Sequence, residues 1–583
     1  MVCEGQTLIN EQGSPSPRKQ RALSKQFSET DSQKSQLPSR LRVPRGNGDL
    51  LIVPPVSEVG DAVARNRALF NQNELLLSRR KKSRLEALEI ARQYTALIYP
   101  QQPSCLEEME GEPPLFLTGH QPELFHPGVW VKNVLIDELA KQNNGISLNV
   151  IIDSDAVKSH CIKIPVKQKG GFVQNRMVID YWPPGVPWEE LQMVDSKLFE
   201  SFADRIAKQE MLPSERIATN KFWQNVVSEV QKNGCVVNGL VAGRVYLERS
   251  LGINNYEVPI SRLANSSGYR DFLAELILNA NQLMEVYNDI LGGYRKRHHI
   301  KSAMQPVPNL LKQDGWIELP IWVWNNKTKH RRSLFVKTEA GNILLSDRAG
   351  WESRIENRTG ADQEITDCFQ LISSHLHRLQ KQGTRFRTKA LMTTAYLRLF
   401  VADWFIHGIG GAKYDEITDS IIADFWNILA PQFQVATGTL WMPMDGRPSK
   451  PIKSSAQLKQ QLRYAKENPE ILLPETNDKM VSVLLELKKE LIKQDEQERL
   501  ERSSLANWLP QRRQSNYRYS EFKRIREALL KLELVRNKLK ELEYEIDQTI
   551  QIENDLQTTN GREYPICCYP LKTLQTFEEK IRE

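Results

Sequence analysis

The sequence predicts an α/β protein: a Rossmann-like, doubly wound parallel sheet with an inserted α+β region and a C-terminal antiparallel coiled-coil hairpin. A short apolar segment, a turn, a helical pattern and a second apolar segment follow one another over 114–155, which is the order of a β-α-β unit. A strand, several glycines and a helix occur again at 401–426. Near the C-terminus, apolar residues recur every three or four positions, as in paired helices.

The composition is that of an ordinary folded protein, with 40% hydrophobic and 26% charged residues and a net charge of +7. A length of 583 residues exceeds what one hydrophobic core usually organises, so several domains are expected. Lys and Arg are not concentrated as in a dedicated nucleic-acid-binding protein. No apolar run is long enough to cross a membrane, and the seven cysteines form no CxxC pair. We therefore expect a cytoplasmic protein with no membrane partner, no dedicated nucleic-acid site and no metal site.

Changes in composition divide the chain into five predicted regions. The first is rich in Ser, Pro, Gln, Lys and Arg and has too few apolar residues to order. The others follow from apolar patterns and turn residues. In order, the regions are a disordered basic tail (1–48), an N-terminal helix with the first half of the core (49–160), an inserted α+β region with a β-meander at 316–347 (161–380), the second half of the core with a glycine-rich loop (381–470), and a helical coiled-coil arm with a short tail (471–583).

Within these regions the apolar patterns predict individual elements. A helix is expected over about 58–96, in which SRRKKSR (78–84) forms a solvated face or a break, and another over about 270–299. In the arm, one stripe runs from Met480 to Leu491 and a second from Phe522 to Ile546 with a three-residue slip, or stammer, after Leu532. These stripes predict two helices of an antiparallel hairpin.

The turn after the first core strand, LTGHQPELFHPG (117–128), contains two of the nine histidines. At this place in a doubly wound sheet, glycines let the backbone approach an anion at a helix N-terminus. His120 and His126 are candidate catalytic residues that would stabilise charge on a transferring group; the alternative is that both only cap the turn. Gly128 would leave room for a ligand. The candidate ligand-binding residues around this turn are Thr118, Gly119, Gln121, Gly128, Lys132 and Asn133.

Two acidic residues, Asp153 and Asp155, follow the second core strand. Carboxylates at the carboxyl end of a parallel strand can hold a ribose, an amine or a hydrated Mg²⁺. We therefore treat both as candidate catalytic residues. The alternative is that one of them caps the next element.

A second glycine-rich turn, HGIGGAK, follows the strand predicted at 401–407 and precedes a helix predicted to begin at Tyr414. A strand, glycines, a lysine and a helix N-terminus together can hold an anion; the alternative is a sharp turn without a ligand. Upstream, Arg385, Arg387 and Lys389 alternate as on one face of a strand, or are solvated. The candidate ligand-binding residues of the second turn are His407, Gly408, Gly410, Gly411, Lys413 and Glu416.

These motifs, in this order, resemble the bacillithiol-biosynthesis cysteine-adding enzyme family. Its Thr-Gly-Gln-Gln-x-x-Leu-Phe-x-x-Gly turn is similar to 118–128, with His120 in place of the first glutamine. Its acidic turn corresponds to Asp153 and Asp155, and its Gly-Gly-x-x-Glu loop to Gly410, Gly411 and, one residue later, Glu416. The resemblance implies a Rossmann-like core related to nucleotidylyl transferases, inserted connecting domains and a coiled-coil arm that forms a homodimer.

Together these features predict an enzyme, ligase or transferase-like, that joins an amino acid or another small nucleophile to a polar or anionic acceptor. One alternative is a nucleotidylyl transferase-like enzyme that uses a nucleoside triphosphate with Mg²⁺. A His-x-Gly-His turn would support it, but Val129 stands where the second histidine would be. The other alternative is a non-catalytic coiled-coil scaffold. The cofactor is left open between a nucleotide, Mg²⁺ and none.

The two glycine turns should lie close together in space. Turns that follow different parallel strands open on the same edge of a doubly wound sheet. We therefore expect His120, His126, Asp153, His407 and Lys413 to line one crevice, with the imidazoles directed at an anion held in part by the second turn.

Overall fold

The structure, a computed structural model, describes residues 41–101, 111–209, 217–356, 365–473, 478–504 and 512–583. Residues 1–40 of the predicted disordered tail lie outside the described residues. The described chain has a mixed α/β fold with a six-stranded, mostly parallel sheet. Its strands are β1 (Asp49–Val53), β2 (Leu115–His120), β3 (Ile146–Ile151), β6 (Tyr256–Pro259), β13 (Trp404–His407) and β14 (Phe433–Thr439).

The six strands lie in the order β1-β14-β13-β2-β3-β6. All neighbours are parallel except β1, which is antiparallel to β14. After β1, the chain enters the middle of the sheet with β2, moves outward through β3 and β6, and returns to the other side of β2 for β13 and β14. The boundary between β2 and β13 is therefore the topological switch point, the place where ligands of doubly wound sheets bind.

The opening β-α-β unit is confirmed. All six residues of β3 are buried, as expected for a strand whose two faces are both covered. Between β2 and β3 the helix α3 (Pro127–Gln142) buries its predicted stripe on one face of the sheet. The helix α2 (Glu74–Ile98) lies on the opposite face, beside β6. The sheet thus separates two hydrophobic cores.

The helix predicted over 58–96 is in fact two helices, α1 (Val59–Ala68) and α2. Asn73 separates them, because its Oδ1 caps α2 by accepting a hydrogen bond from the Leu76 amide at 2.9 Å. The prediction that 78–84 is a solvated face or a break was wrong. Arg80 and Arg84 are buried inside α2, and each donates to Asp403 at 2.8 Å.

The inserted region contains a second sheet in the order β11-β10-β9-β8-β12. The predicted meander is confirmed, and β11 and β12 extend it on its two sides. Two more strands form a separate hairpin. The bounds are β4 (Cys161–Gln168), β5 (Gly171–Val178), β7 (Lys312–Gln313), which pairs with β8, β8 (Trp316–Asn325), β9 (Arg332–Glu339), β10 (Asn342–Ser346), β11 (Glu352–Ile355) and β12 (Thr384–Thr388).

The remaining helices before the arm connect and cover the two sheets. The helix predicted over 270–299 is divided at Asn279 into two. The bounds are α4 (Ser196–Glu200), α5 (Phe202–Ala207), α6 (Ile217–Asn233), α7 (Val236–Ser250), α8 (Ile260–Leu263), α9 (Ser267–Leu278), α10 (Ala280–Arg297), α11 (Ile365–Lys381), α12 (Ala390–Tyr396), α13 (Ile409–Trp426) and α14 (Ser455–Glu467).

The arm contains α15 (Lys479–Ser504), α16 (Arg512–Leu530) and α17 (Glu533–Thr559), and the chain ends in α18 (Leu571–Arg582), which packs on α3. The predicted stammer was wrong: the chain breaks between α16 and α17. The last part of the predicted stripe, Val535 to Leu542, packs on Ala465 of α14 and not on α15. Within the described stretches, no helix combines the length and apolar character needed to cross a membrane.

Candidate active site at the carboxyl edge of the parallel sheet

The two glycine turns leave the sheet side by side. The strands β2 and β13 are parallel neighbours, with Ile406 opposite Thr118. Thr118 Oγ1 donates a hydrogen bond to the Ile406 carbonyl at 2.9 Å, so this buried side chain joins the strands instead of facing a ligand. Both turns therefore open at the carboxyl edge, at the switch point, as predicted.

Lys132 is the central charge at this switch point. It lies on the first turns of α3, is 5% exposed, and its Nζ donates to the Gly119 carbonyl at 3.0 Å. Burial lowers the pKa of Lys132 to about 8, so most of it is still charged at neutral pH. Among the described residues, no carboxylate pairs with this ammonium group.

Three histidines lie close enough to Lys132 for its charge to lower their pKa values. Burial is the largest cause for each, and Lys132 adds to it for His120, His126 and His407. The three come from the two turns, and the structure brings them together around one ammonium group. The result is a buried positive charge close to three imidazoles whose pKa values are lowered.

His126 is the N-cap residue of α3. Its Nδ1 accepts a hydrogen bond from the Gly128 amide at 3.0 Å, so the alternative that this histidine caps the turn is confirmed. Burial, followed by the charges of Arg562 and Lys132, lowers the pKa of His126 to about 4. Because Nδ1 accepts, the proton of the neutral ring lies on Nε2, which remains a hydrogen-bond donor.

His120 does not cap the turn. Its Nδ1 lies 3.0 Å from the Gln121 carbonyl and its Nε2 lies 3.2 Å from Asn133 Oδ1. Asn133 is oriented by Glu248, which accepts from its Nδ2 at 2.8 Å. Both ring nitrogens of His120 thus face oxygen acceptors, an arrangement that suits the imidazolium form. Burial and the charge of Lys132 nevertheless hold its pKa well below the usual value.

Gly128 leaves no room for a ligand, contrary to the prediction. A Cβ at this position would collide with the Arg562 guanidinium and would lie 2.6 Å from the Gly438 carbonyl. Arg562 Nη2 donates to Thr437 Oγ1 at 2.9 Å, which fixes the guanidinium over the N-terminus of α3. Sequence reasoning missed Arg562, since it comes from the C-terminal tail and carries no motif.

The second turn is shorter than predicted, because α13 begins at Ile409 and not at Tyr414. Gly408 is its N-cap, without a side-chain cap, and Gly410 and Gly411 belong to the first helical turn. A Cβ at Gly408 or Gly410 would meet nothing within 4 Å, whereas one at Gly411 would lie 2.9 Å from His407 Nδ1. The free amides of α13 thus open next to His407 with no acidic side chain in the first turn.

His407 is fixed by a buried ion network. Its Nε2 contacts the carboxylate of Asp415, which also binds Arg398 at 3.1 Å. Although burial alone would raise the pKa of Asp415, the charges of His407 and Arg398 lower it. The imidazole lies against the rings of Phe405 and Phe433. His407 therefore reaches the switch point in one orientation.

The side chains of Lys413 and Glu416 do not lie beside Lys132 and the histidines. Glu416 pairs with Arg297 and His298 at the end of α10, in each case at 2.8 Å. The Lys413 carbonyl accepts a hydrogen bond from Tyr294, also on α10, and its side chain is exposed. The early start of α13 accounts for Lys413, which is two residues from both Gly411 and Asp415 and therefore lies on the other side of the helix from His407.

The two predicted aspartates bind separate partners. Asp153 accepts from the amide of Ser261 at 2.9 Å and from its Oγ at 2.5 Å. Asp155 accepts from Gln121 Nε2 at 2.6 Å and from Arg331 Nη1 at 3.1 Å. Neither is the N-cap of the next element along the chain, so that alternative was wrong, although Asp153 accepts from an amide in the first turn of α8. Burial, followed by the charge of Glu189, raises the pKa of Asp153 to about 7.

The cations Arg387, in β12, and Lys389, directly after it, are paired, so the interpretation that they are solvated was wrong. Arg387 is 1% exposed and binds Glu189 through two hydrogen bonds, at 2.8 and 2.9 Å. Lys389 donates to Glu318 at 2.7 Å. The residues predicted to line one crevice are therefore not all in one place. The three histidines lie near Lys132 at β2 and β13, and Asp153 lies beyond β3, where Glu189 and Arg387 pair. Lys413 lies outside both groups, so the prediction was wrong for this residue.

Within the described parts of the chain, no group of three or more His, Cys, Asp or Glu side chains is arranged to hold a metal ion. Neither protein-family models nor curated proteins give a match to this chain.

Proposed function

We propose that this protein is an enzyme, ligase or transferase-like, that joins an amino acid or another small nucleophile to a polar or anionic acceptor. The observation that carries the proposal is the buried ammonium group of Lys132 among three histidines at the switch point. The parallel sheet with helices on both faces favours a Rossmann-like core, in which ligands bind at this place.

The charge distribution supports an anionic group on the acceptor. Lys132, Arg562 and the N-termini of α3 and α13 all direct positive charge to one place. Burying such charge without a counter-charge is unfavourable, and a bound phosphate or carboxylate would remove that cost. Lys132 Nζ and the Nε2–H of His126 would donate to the anion, and the amides of α13 would complete its binding.

In the proposed reaction the nucleophile's lone pair forms a bond to a carbon of the acceptor. The bond from that carbon to its leaving oxygen breaks with both electrons passing to the oxygen, and the proton released by the nucleophile ends on that oxygen. The donors around Lys132 stabilise the negative charge that develops on the oxygen. Only donors fixed before the reaction act in this way, which is consistent with the capped and hydrogen-bonded histidines.

A comparison of small thiols, amino sugars and their precursors in a deletion strain and its parent tests the proposal. We expect an unjoined acceptor to accumulate in the deletion strain. Wild-type protein should reverse this, and Lys132→Met should not. Pyrophosphate release from a nucleoside triphosphate would instead indicate nucleotidylyl transfer. Full complementation by Lys132→Met, together with loss of function on deletion of 475–553, would overturn the proposal in favour of a scaffold.

We also propose that α15 and α16 form a coiled-coil hairpin through which two copies associate. The shared apolar contacts of α15 and α16 support the first part. Sedimentation of the full chain and of a 475–553 deletion tests the second part. The deletion should be monomeric at a concentration at which the full chain is a dimer, and equal masses would contradict this.

A further inference from the structure

A cleft of about 490 Å³ opens beside Asp153, and Lys132 is not among the residues that line it. It lies between the ends of β3 and β6, the strand β12 of the inserted sheet and the last turn of α11. Its volume is in the range of pockets that bind small molecules. Because β3 and β6 are parallel, this cleft is also at the carboxyl edge of the sheet, where such ligands are expected.

Most of the charges lining the cleft cancel in pairs. Arg387 binds Glu189, and Arg385 lies 3.6 Å from Glu190, which also accepts from Trp324 Nε1 at 3.0 Å. These pairs hold β12 against the segment that follows β5. Two exposed cations, Arg262 and Lys381, also line the cleft and do not take part in these pairs.

The Arg262 side chain contacts an aromatic ring, and it has no carboxylate partner among the described residues. Its guanidinium carbon lies 4.8 Å from the centre of the Tyr94 ring, and Tyr94 is itself fixed by a hydrogen bond to Asn238 at 3.0 Å. Among the described residues, no oxygen accepts a hydrogen bond from the Arg262 side chain. A guanidinium with a fixed plane and free donors suits a phosphate or carboxylate.

Lys381 stands across the cleft from Arg262 at the end of α11, where the helix dipole favours a cation. Gln380 Nε2 donates to the Ala264 carbonyl at 2.8 Å, which ties this helix end to the loop after Arg262. In the described part of the chain, the Lys381 ammonium group also has no carboxylate partner. The backbone segments that carry these two exposed cations are thus held next to each other.

The floor offers a different chemistry. Asp153 is 3% exposed and lines the cleft together with Ser261, which donates to it through both the amide and the hydroxyl. A carboxyl group held in this way can accept a hydrogen bond from a hydroxyl, thiol or ammonium group. The cleft thus combines two free cations at its mouth with one fixed carboxyl group at its floor.

We propose that this cleft is a second ligand site, which binds a small molecule carrying a phosphate or carboxylate group and a hydroxyl, thiol or ammonium group. Arg262 and Lys381 hold the anionic group, and Asp153 accepts from the other. Binding in the cleft does not depend on the joining reaction at Lys132. If both sites act in one reaction, the cleft holds the nucleophile.

Isothermal titration of the full chain with inorganic pyrophosphate and with malate tests the cleft and distinguishes a phosphate from a carboxylate. We expect at least one probe to bind, and Arg262→Gln and Lys381→Gln each to weaken it about tenfold or more, since each removes a charge-assisted contact. Lys208→Gln is the control, because it removes the same charge from an exposed position outside the cleft. Its affinity should equal that of the wild type.

Two results would overturn the proposal. The first is that neither probe binds. The second is that Arg262→Gln and Lys381→Gln bind as tightly as the wild type while Lys132→Met abolishes binding, which would place the anion at the switch point alone. That second result would leave the proposed joining reaction standing, so the two proposals can fail separately. Equal melting temperatures of the variants without ligand would exclude misfolding as the cause of a weakened affinity.

Discussion

At the amino edge of the parallel sheet, between the starts of β2 and β13, Asp403 binds two buried arginines, whereas at the carboxyl edge the ammonium group of Lys132 has a carbonyl as its one hydrogen-bond partner among the described residues. Arg80 and Arg84 each donate to Asp403 at 2.8 Å, and the amide of Leu115 donates to it as well. Carbonyl oxygens accept from the remaining donors of both arginines. The amino edge is therefore a closed network that stabilises the fold.

The carboxyl edge has the opposite character. Lys132 is as deeply buried as the arginines, but its ammonium group has one carbonyl partner among the described residues. Arg562 adds a second cation nearby. The difference gives a way to distinguish two kinds of buried cation. A cation that stabilises the fold has a carboxylate partner in the chain. A cation that binds a ligand has none.

The largest effect should come from breaking the closed network. Asp403→Asn leaves Arg80 and Arg84 buried without a counter-charge, so we expect the free energy of unfolding to fall by about 3–5 kcal/mol. Urea unfolding measures this. Glu486→Gln, which removes a carboxylate from an exposed pair with Lys489, is the control and should change stability by less than about 1 kcal/mol. A loss for Asp403→Asn no larger than for this control would contradict the closed network.

Lys132→Met should behave in the opposite way. Removing an unpaired buried cation should leave the free energy of unfolding within about 1 kcal/mol of the wild type, since one hydrogen bond is lost and one desolvated charge is removed. Anion binding at the switch point should fall by a factor on the order of 10–100, because a charge-assisted contact is lost. Thermal unfolding and titration of the same preparations measure both. A strong loss of stability with unchanged binding would assign Lys132 to the fold.

The pH dependence of stability should separate the two edges further. Burial lowers the pKa of Lys132 to about 8, so between pH 8 and the unfolded pKa of about 10.4 the unfolded chain binds more protons than the folded chain. Stability contributed by this residue therefore rises with pH over that window. We expect wild type to gain on the order of 2–3 kcal/mol relative to Lys132→Met between about pH 7 and pH 10. Parallel curves for the two proteins would contradict the depressed pKa.

Local pattern was enough to predict the parallel sheet's first unit, the meander and the edge at which both glycine turns open. Local pattern did not predict contacts between residues that are far apart in the sequence. Arg80 belongs to a charge run typical of a solvated surface, and its partner Asp403 is 323 residues away. Arg562 likewise reaches the first turn from the C-terminal tail, and it fills the space beside Gly128 that was expected to hold a ligand.

The second turn shows a different limit. The sequence predicts that its glycines form a loop, because glycine is unfavourable inside helices. In the structure Gly410 and Gly411 lie in the first turn of α13, and Gly411 is needed because a side chain there would press on His407. That packing depends on Asp415 holding the imidazole, which no spacing rule predicts. Because the helix begins at Ile409, the side chain of Lys413 is exposed and does not lie beside His407.

The smallest expected effect on stability distinguishes the two roles of His126. Its Nδ1 caps α3, so His126→Ala should cost about 1 kcal/mol of unfolding free energy, measured by urea unfolding. Asn is a good N-cap residue, so His126→Asn should keep the wild-type stability. Asn cannot place a donor where the imidazole Nε2–H lies, and both variants should therefore bind an anion at the switch point more weakly. If His126→Asn binds as the wild type does, the histidine serves α3 alone, and Lys132 must hold the anion with His120 and His407.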